Sequence, residues 1–251
     1  MSALLLLAAL IGAWQLYTVI SGVDPTLVPP PSDVASSLWN DRGLLWSNLG
    51  TTAAEIVLGL ALALVVATLV AVLVHLWPPA RRAVMPLVAA SQAVPFVVFA
   101  PLLVFWFGFN VFPKALVIAV VTFFPITVTL VDGLMSVDPA LGKLLQTFGA
   151  SRWRALRMVD APAAFPSALS GAKIALAVAV IGAVIAEDQG ASSGLGLVIT
   201  QALNQLDTAR AFAATVVLTV LAGSLFVALA LAERWLVPWA TRSRNRGGPP
   251  T

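Results

Sequence analysis

Cysteine is absent from this 251-residue chain, histidine and tyrosine occur once each, and charged residues make up only 10%. Without a thiol there is no disulfide and no thiolate metal site. With His75 as the sole imidazole, a histidine metal cluster or a Ser-His-Asp triad lacks its parts. The charge content is far below the roughly 25% of a soluble globular domain. What stands in its place is apolar: 60% of residues are hydrophobic and the mean hydropathy is +0.97. A chain of this length cannot hide that much apolar surface in a water-soluble core. An integral membrane protein is the class that remains.

A membrane-crossing helix needs roughly 17–25 mostly apolar residues. Six stretches qualify, at about 2–20, 51–76, 83–107, 111–131, 171–186 and 211–237, the fifth being short enough to begin earlier. The first has no basic leader and no small-residue cleavage site after "VISGVDPT", so it reads as a retained span. The third carries Pro86, Pro95 and Pro101. Prolines free carbonyls that need neighbouring helices or water, so this is not expected to be a plain lipid-facing rod. The prolines of "LVPPPSDV" stop the first helix, and Ser32 is the expected N-cap of a short amphipathic helix.

The sequence pI is about 10.0. With an inside N-terminus, eleven of the fourteen Lys and Arg fall on the inner side; Arg42, Lys114 and Arg210 fall outside. That bias orients membrane proteins. It predicts cytoplasmic termini and accounts for the basicity without a nucleic-acid partner. The expected organisation is a first span with an external amphipathic segment over 1–50, a helical core over 51–240, and a basic tail over 241–251.

Within the inner loop between the fourth and fifth spans lies "DPALGKLLQTFGASRWRALRMVDAP". Asp138 is the expected N-cap, with Pro139 in the first helical position. Leu141, Leu144, Leu145 and Phe148 recur at helical spacing, and Gly149 suits a left-handed helix end. Ser151 can cap a second short helix through Val159, with Pro162 ending it. A basic inner loop is also what topology alone requires; Arg152, Arg154 and Arg157 individually read as headgroup or topology charges.

This pattern, a short helix, then "GAS", then about ten residues and "APAAFPSALSG", resembles the cytoplasmic signature of ABC-importer permease subunits. "AVPFVVFAPLLVFWFGF", "FFPITVTLVDGL" and "AVIGAVIAEDQGASSGLG" are similar to the members that import nitrate, sulfonates, taurine or thiamine-pyrimidine precursors. The resemblance covers about residues 25–240. It implies an all-α polytopic fold of about six transmembrane helices in a bacterial cell membrane. It further implies a coupling loop at 138–162 docking an ABC ATPase, an external solute-binding protein, and a homodimer of permeases among membrane lipid. On that resemblance Lys143, Phe148, Gly149, Ala150, Ser151, Arg152, Trp153 and Pro162 form the ATPase contact. The family signature usually begins Glu-Ala-Ala six residues before its glycine; here those places hold Lys143, Leu144 and Leu145. The partner's docking surface is expected to differ in charge.

No P-loop pattern occurs, so Walker-type ATP binding is not expected, nor is a catalytic residue, metal or cofactor. Three acids lie near outer ends: Glu55 in the second span, and Glu187 and Asp188 after the fifth. They either sit in interfacial water or, as ionisable groups in membranes often do, serve a path or gate. Gln92, Phe96, Phe123 and Glu187 are the candidate pathway residues, with Ser91 beside them; ordinary helix packing is the alternative for the aromatic pair. Phe105, Trp106 and their neighbours read as an interfacial aromatic belt. The aromatic pair leans toward a flat pyrimidine-like solute over a nitrate- or sulfonate-type anion, for which basic groups in mid-span would be expected. A secondary transporter would be expected to show an inverted repeat and mid-membrane charges; a scaffold would have no need of the glycine elbow.

Overall fold

A computed structural model describes residues 2–93, 95–189 and 191–238, with residues 2–4 as backbone alone. The predicted basic tail, with Arg242, Arg244 and Arg246, lies outside the described residues. In chain order the helices are α1 (Ser2–Ser21), α2 (Pro31–Asn40), α3 (Arg42–Leu76), α4 (Pro78–Ala90), α5 (Phe96–Phe107), α6 (Val111–Met135), α7 (Pro139–Thr147), α8 (Arg152–Ala155), α9 (Ala161–Asp188), α10 (Leu195–Asn204) and α11 (Thr208–Leu236). A 3-10 turn, Ser91–Ala93, joins α4 towards α5, and a π-helical turn, Leu156–Asp160, joins α8 to α9.

Among the described residues, four helical rods are long and apolar enough to cross a membrane: α3, α6, the rod Arg152–Asp188 and α11. The proline-bearing third stretch is broken, α4 and α5 being bent by 92°, and makes a fifth span if counted as one. Here the expectation of something other than a straight rod holds. The described part of α1, Leu5–Ser21, is a shorter apolar helix. Trp14 on α1 meets Phe212 on α11 with ring centroids 5.7 Å apart. Most of the other α1 side chains are exposed, as for a lipid-facing helix.

Two boundaries differ from expectation. α3 begins at Arg42, so Glu55 lies well inside it and not near an end. Ser32 is not the N-cap of α2: Pro30 takes that place, Pro31 opens the helix, and the Ser32 amide donates to Gln15 Oε1 at 3.0 Å. A side chain from α1 thus satisfies one of the free amides at the start of α2, that of Ser32 itself.

α6 is the central helix, packed along α3 on one side and α9 on the other. The facing stripes are small: Gly59, Ala63, Ala67 and Ala71 on α3, and Ala172, Ala175, Ala179, Ala183 and Ala186 on α9, all buried. Lipid tails are as apolar as leucine, so association inside a membrane rests on close van der Waals packing, which small residues permit. A Cβ at Gly59 would sit 2.6 Å from the Ile118 side chain of α6. The bundle therefore has no room for a methyl group at that crossing.

Candidate functional site

The segment 138–162 is built from local hydrogen bonds that its residue types dictate. Asp138 Oδ1 accepts the Ala140 amide at 2.8 Å, capping α7, with Pro139 first in the helix. At the other end Gly149 adopts φ +78. Its amide donates to Gln146 O at 2.9 Å, and the Ala150 amide donates to Leu145 O at 3.0 Å. That pair of bonds is a Schellman closure, which needs a left-handed residue where Gly149 stands. Ser151 Oγ then accepts the Arg154 amide at 3.3 Å and opens α8. These three local expectations are met.

Pro162 does not end a helix. The chain runs without a break from Arg152 to Asp188, a rod of 37 residues. Pro162 stands near the start of α9, directly after the π turn. A proline lacks the N–H and crowds the carbonyl four residues earlier, here Met158. The wider π turn over 156–160 relieves that contact, which is the usual place for such a bulge.

The segment 138–162 is tied to the core at its root and bare at its tip. Asp160 Oδ2 lies 2.9 Å from His75 Nε2, near the end of α3, and Arg152 Nη1 donates to Leu76 O at 3.4 Å. α7, by contrast, has no buried residue. Leu141, Leu144, Phe148 and Trp153 are exposed, Phe148 at 81%. Lys143, Arg152 and Arg154 are exposed among them, with Ala150 half-buried. The result is an apolar and basic surface that the described residues leave uncovered.

The acids behave differently from one another. Asp188 is exposed, as an interfacial residue would be. Glu55 and Glu187 are fully buried. Lys114, expected in an external loop, sits in the first turn of α6 with 2% exposure and forms an ion pair with Glu55. The helix starts where the apolar stretch does: the Asn110 side chain accepts the Phe112 amide at 2.8 Å, ahead of Pro113.

Around this pair a polar knot closes the turn between α9 and α10. Thr52 Oγ1 donates to Glu187 Oε1 at 2.6 Å and accepts the Leu195 amide at 2.9 Å. The Gly194 amide donates to Asn48 Oδ1 at 2.6 Å, and the Gly196 amide to Glu187 Oε2. Lys114 Nζ lies 3.4 Å from Ser193 O. Gly194 has φ +134, and a Cβ there would run into the Glu187 carboxylate. Asn48, Thr52 and Lys114 were not singled out from the sequence, although "ASSGLG" signals the turn they hold.

The four candidate pathway residues do not meet within one chain. Gln92 is exposed on the 3-10 turn. Phe96 packs against Ala100, Val117 and Ala186. Phe123 packs in a separate cluster with Ala63, Ala119 and Ala175. Glu187 is sealed in the knot.

Residues 59–242 match the family described as the binding-protein-dependent transport system inner membrane component. The chain is 35% identical over 227 residues to the formylaminopyrimidine transport permease protein of Halalkalibacterium halodurans, covering 90% of each. It is 37% identical over 230 residues to the riboflavin transport system permease protein of Chloroflexus aurantiacus, covering 90% of this chain and 85% of that one. With the taurine transport system permease protein of Escherichia coli the identity is 30% over 240 residues, covering 93% and 87%. In fold it is similar to a chain of the inward-facing MetNI methionine ABC transporter, with a TM-score of 0.69 at 19% identity, covering 78% of this chain and 98% of that one. The exposed helix with its glycine elbow, the crossing rods and these relatives agree: the chain belongs to the family of binding-protein-dependent transport system inner membrane components.

Proposed function

We propose that this permease works with an ABC ATPase docked on α7 and α8, takes its solute from an external binding protein, and passes a flat nitrogen heterocycle across the membrane. The observation that carries the reading is α7 itself: a capped helix with an exposed apolar face, carrying Lys143, followed by Arg152 and Arg154, and lacking any buried residue. Such a face is costly to leave in water and marks an interaction site. The positive charges support a cytoplasmic position for it and for both termini. Two copies of the chain form the path between them. When the ATPase subunits close, α7 is carried with them. The Gly149 elbow passes the movement to α8, the π turn and α9, while the His75–Asp160 contact carries it to the end of α3.

The solute class rests on two supports. The relatives named for formylaminopyrimidine and riboflavin are 35% and 37% identical, against 30% for the one named for taurine. The two lysines of α6 and α9, Lys114 and Lys173, are both matched by carboxylates, Glu55 and Glu233, so neither is free to receive an anion. Gln92 and Phe96, at the bend between α4 and α5, are the path residues of this reading; Glu187 is not.

The test is reconstitution in liposomes with the ATPase and the solute-binding protein encoded nearest to it. ATP-dependent uptake of labelled formylaminopyrimidine or riboflavin, and none of taurine, is the expected result. Uptake of taurine alone overturns the solute class. Uptake that follows a proton or sodium gradient and ignores ATP overturns the importer reading.

A further inference from the structure

The knot at Glu187 has no part in the route from ATPase to core, yet it buries a lysine and two carboxylates among helices that otherwise pack by small apolar residues. Buried charge is costly unless paired and bonded, and inside membranes it is usually functional. Its geometry says what it holds. Glu187 is in the last turn of α9, and its carboxylate meets the Gly196 amide in the first turn of α10. A carboxylate at a helix N-terminus is favoured by the unpaired amides and the helix dipole. No residue of α10 or of the preceding turn caps that helix, and Gly194, in the cap position, has no side chain. The capping group is therefore borrowed from α9.

The same turn is pinned from α3. Asn48 takes the Gly194 amide, and Thr52 takes the Leu195 amide while giving its own proton to Glu187. Lys114 on α6, paired with Glu55, reaches the Ser193 carbonyl. Three successive backbone amides, at 194, 195 and 196, are each held by a side chain of another helix. α10 is thus locked to α3 and α9 at the end of the bundle opposite α7.

Resting on the importer reading above, we propose that Glu187, Thr52 and Asn48 are positioning residues of transport: they hold α10 as a fixed cap on the far end of the bundle, so that this end stays shut until the binding protein engages. A cap that moved on its own would uncouple ATP hydrolysis from delivery, because the outer end would open without a loaded partner.

The experiment uses the reconstituted complex of permease, ATPase and binding protein, with formylaminopyrimidine and riboflavin as probes. Two numbers are read: ATP hydrolysis with and without binding protein, and solute transported per ATP. Thr52→Val removes one donor and one acceptor at nearly constant shape; Thr52→Ser keeps both. Asn48→Ala removes only the Gly194 contact and carries the test if Thr52→Val does not insert. Expected are hydrolysis that no longer needs the binding protein, and a drop of about tenfold in solute per ATP for Thr52→Val, in line with a lost bond to a charged group. Thr52→Ser should stay near wild type. If Thr52→Val and Asn48→Ala keep the wild-type ratio, or if Thr52→Ser fails as Thr52→Val does, the positioning role is wrong. If the wild-type complex itself shows no stimulation by the binding protein, the importer reading falls and the proposal falls with it.

Discussion

Arg210 and Asp41 are joined by two hydrogen bonds across 169 residues, Nε to Oδ2 at 3.0 Å and Nη2 to Oδ1 at 3.2 Å. The pair staples the residue before α3 to the first turn of α11, and Ser37 Oγ adds a third contact at 2.8 Å. The Arg210 guanidinium, followed by the Ser37 hydroxyl, holds the Asp41 carboxyl below its ordinary value. A carboxyl whose folded value lies below its unfolded value stabilises above the unfolded range, and that contribution fades as pH falls through the folded value.

Asp41→Asn should therefore destabilise the detergent-solubilised protein slightly at pH 7, by about 0–1 kcal/mol, since the pair is partly exposed and screened. The gap between variant and wild type should shrink as acid protonates the carboxylate, below about pH 4. Thermal unfolding across pH checks this; a gap that widens toward acid contradicts it.

Gly149 has φ +78 and open space around it, nothing lying within 4 Å of where a Cβ would stand. The cost of replacing it is backbone strain alone, about 1 kcal/mol or more for a β-branched residue. Gly149→Val should insert normally yet lose co-purification of the ATPase, while Gly149→Asn, which tolerates the left-handed region, should keep it. Equal retention by both would make the elbow a mere connector.

Charge and shape separate at the same segment. Reversing Arg152 and Arg154 to Glu should weaken ATPase docking by less than Phe148→Ser with Leu144→Ser, because exposed ion pairs contribute only about 0–1 kcal/mol each. Pull-down at two salt concentrations measures both. A larger loss from the charge reversal would place the recognition in the arginines.

Gly59 and Gly50 lie on one helix with opposite surroundings. A Cβ at 59 strikes Ile118, whereas at 50 it meets nothing within 4 Å. Gly59→Ala should cost about 1–3 kcal/mol through overpacking, seen as reduced monodisperse protein on size exclusion. Gly50→Ala should be neutral or stabilising by up to about 1 kcal/mol. Equal yields would mean the α3–α6 crossing relaxes freely.

Orientation is open to labelling, since the chain has no native cysteine. Ser192 and Ser151 are both exposed, at opposite ends of the bundle. The neighbouring Ser193 is more buried and a poorer target. A cysteine at 192 should react with an impermeant reagent from outside, and one at 151 should not; the reverse pattern inverts the topology.

The sequence made α7, the elbow and the cap of α8 legible because each rests on bonds spanning only a few residues, from Asp138, Gly149 and Ser151. The knot was not legible because Asn48, Thr52 and Glu55 meet partners more than fifty positions away, and only helix packing brings them to one place. Lys114 was counted among the outer charges although it lies within the 111–131 stretch, and nothing nearby announces that Glu55 will face it. Pro162 read as a stop because the π turn that accommodates it has no residue signature of its own. Spans were visible as apolar runs, but the start of α3 was set too late because Arg42, Ser47 and Asn48 interrupt the run.

The unbroken rod from Arg152 to Asp188 has a mechanical consequence. Its 37 residues, at about 1.5 Å each, make a lever arm of about 55 Å. A tilt of about 5° at the driven end displaces the other by about 5 Å, more than a hydrogen bond survives. Clamped at its far end by Glu187, such an arm cannot swing alone. It must either drag α3 and α10 with it as one body or bend at its weakest joint. That joint is the π turn, about one turn from the Arg152 end, so under the proposed function its stiffness would set how much of each stroke reaches the other side.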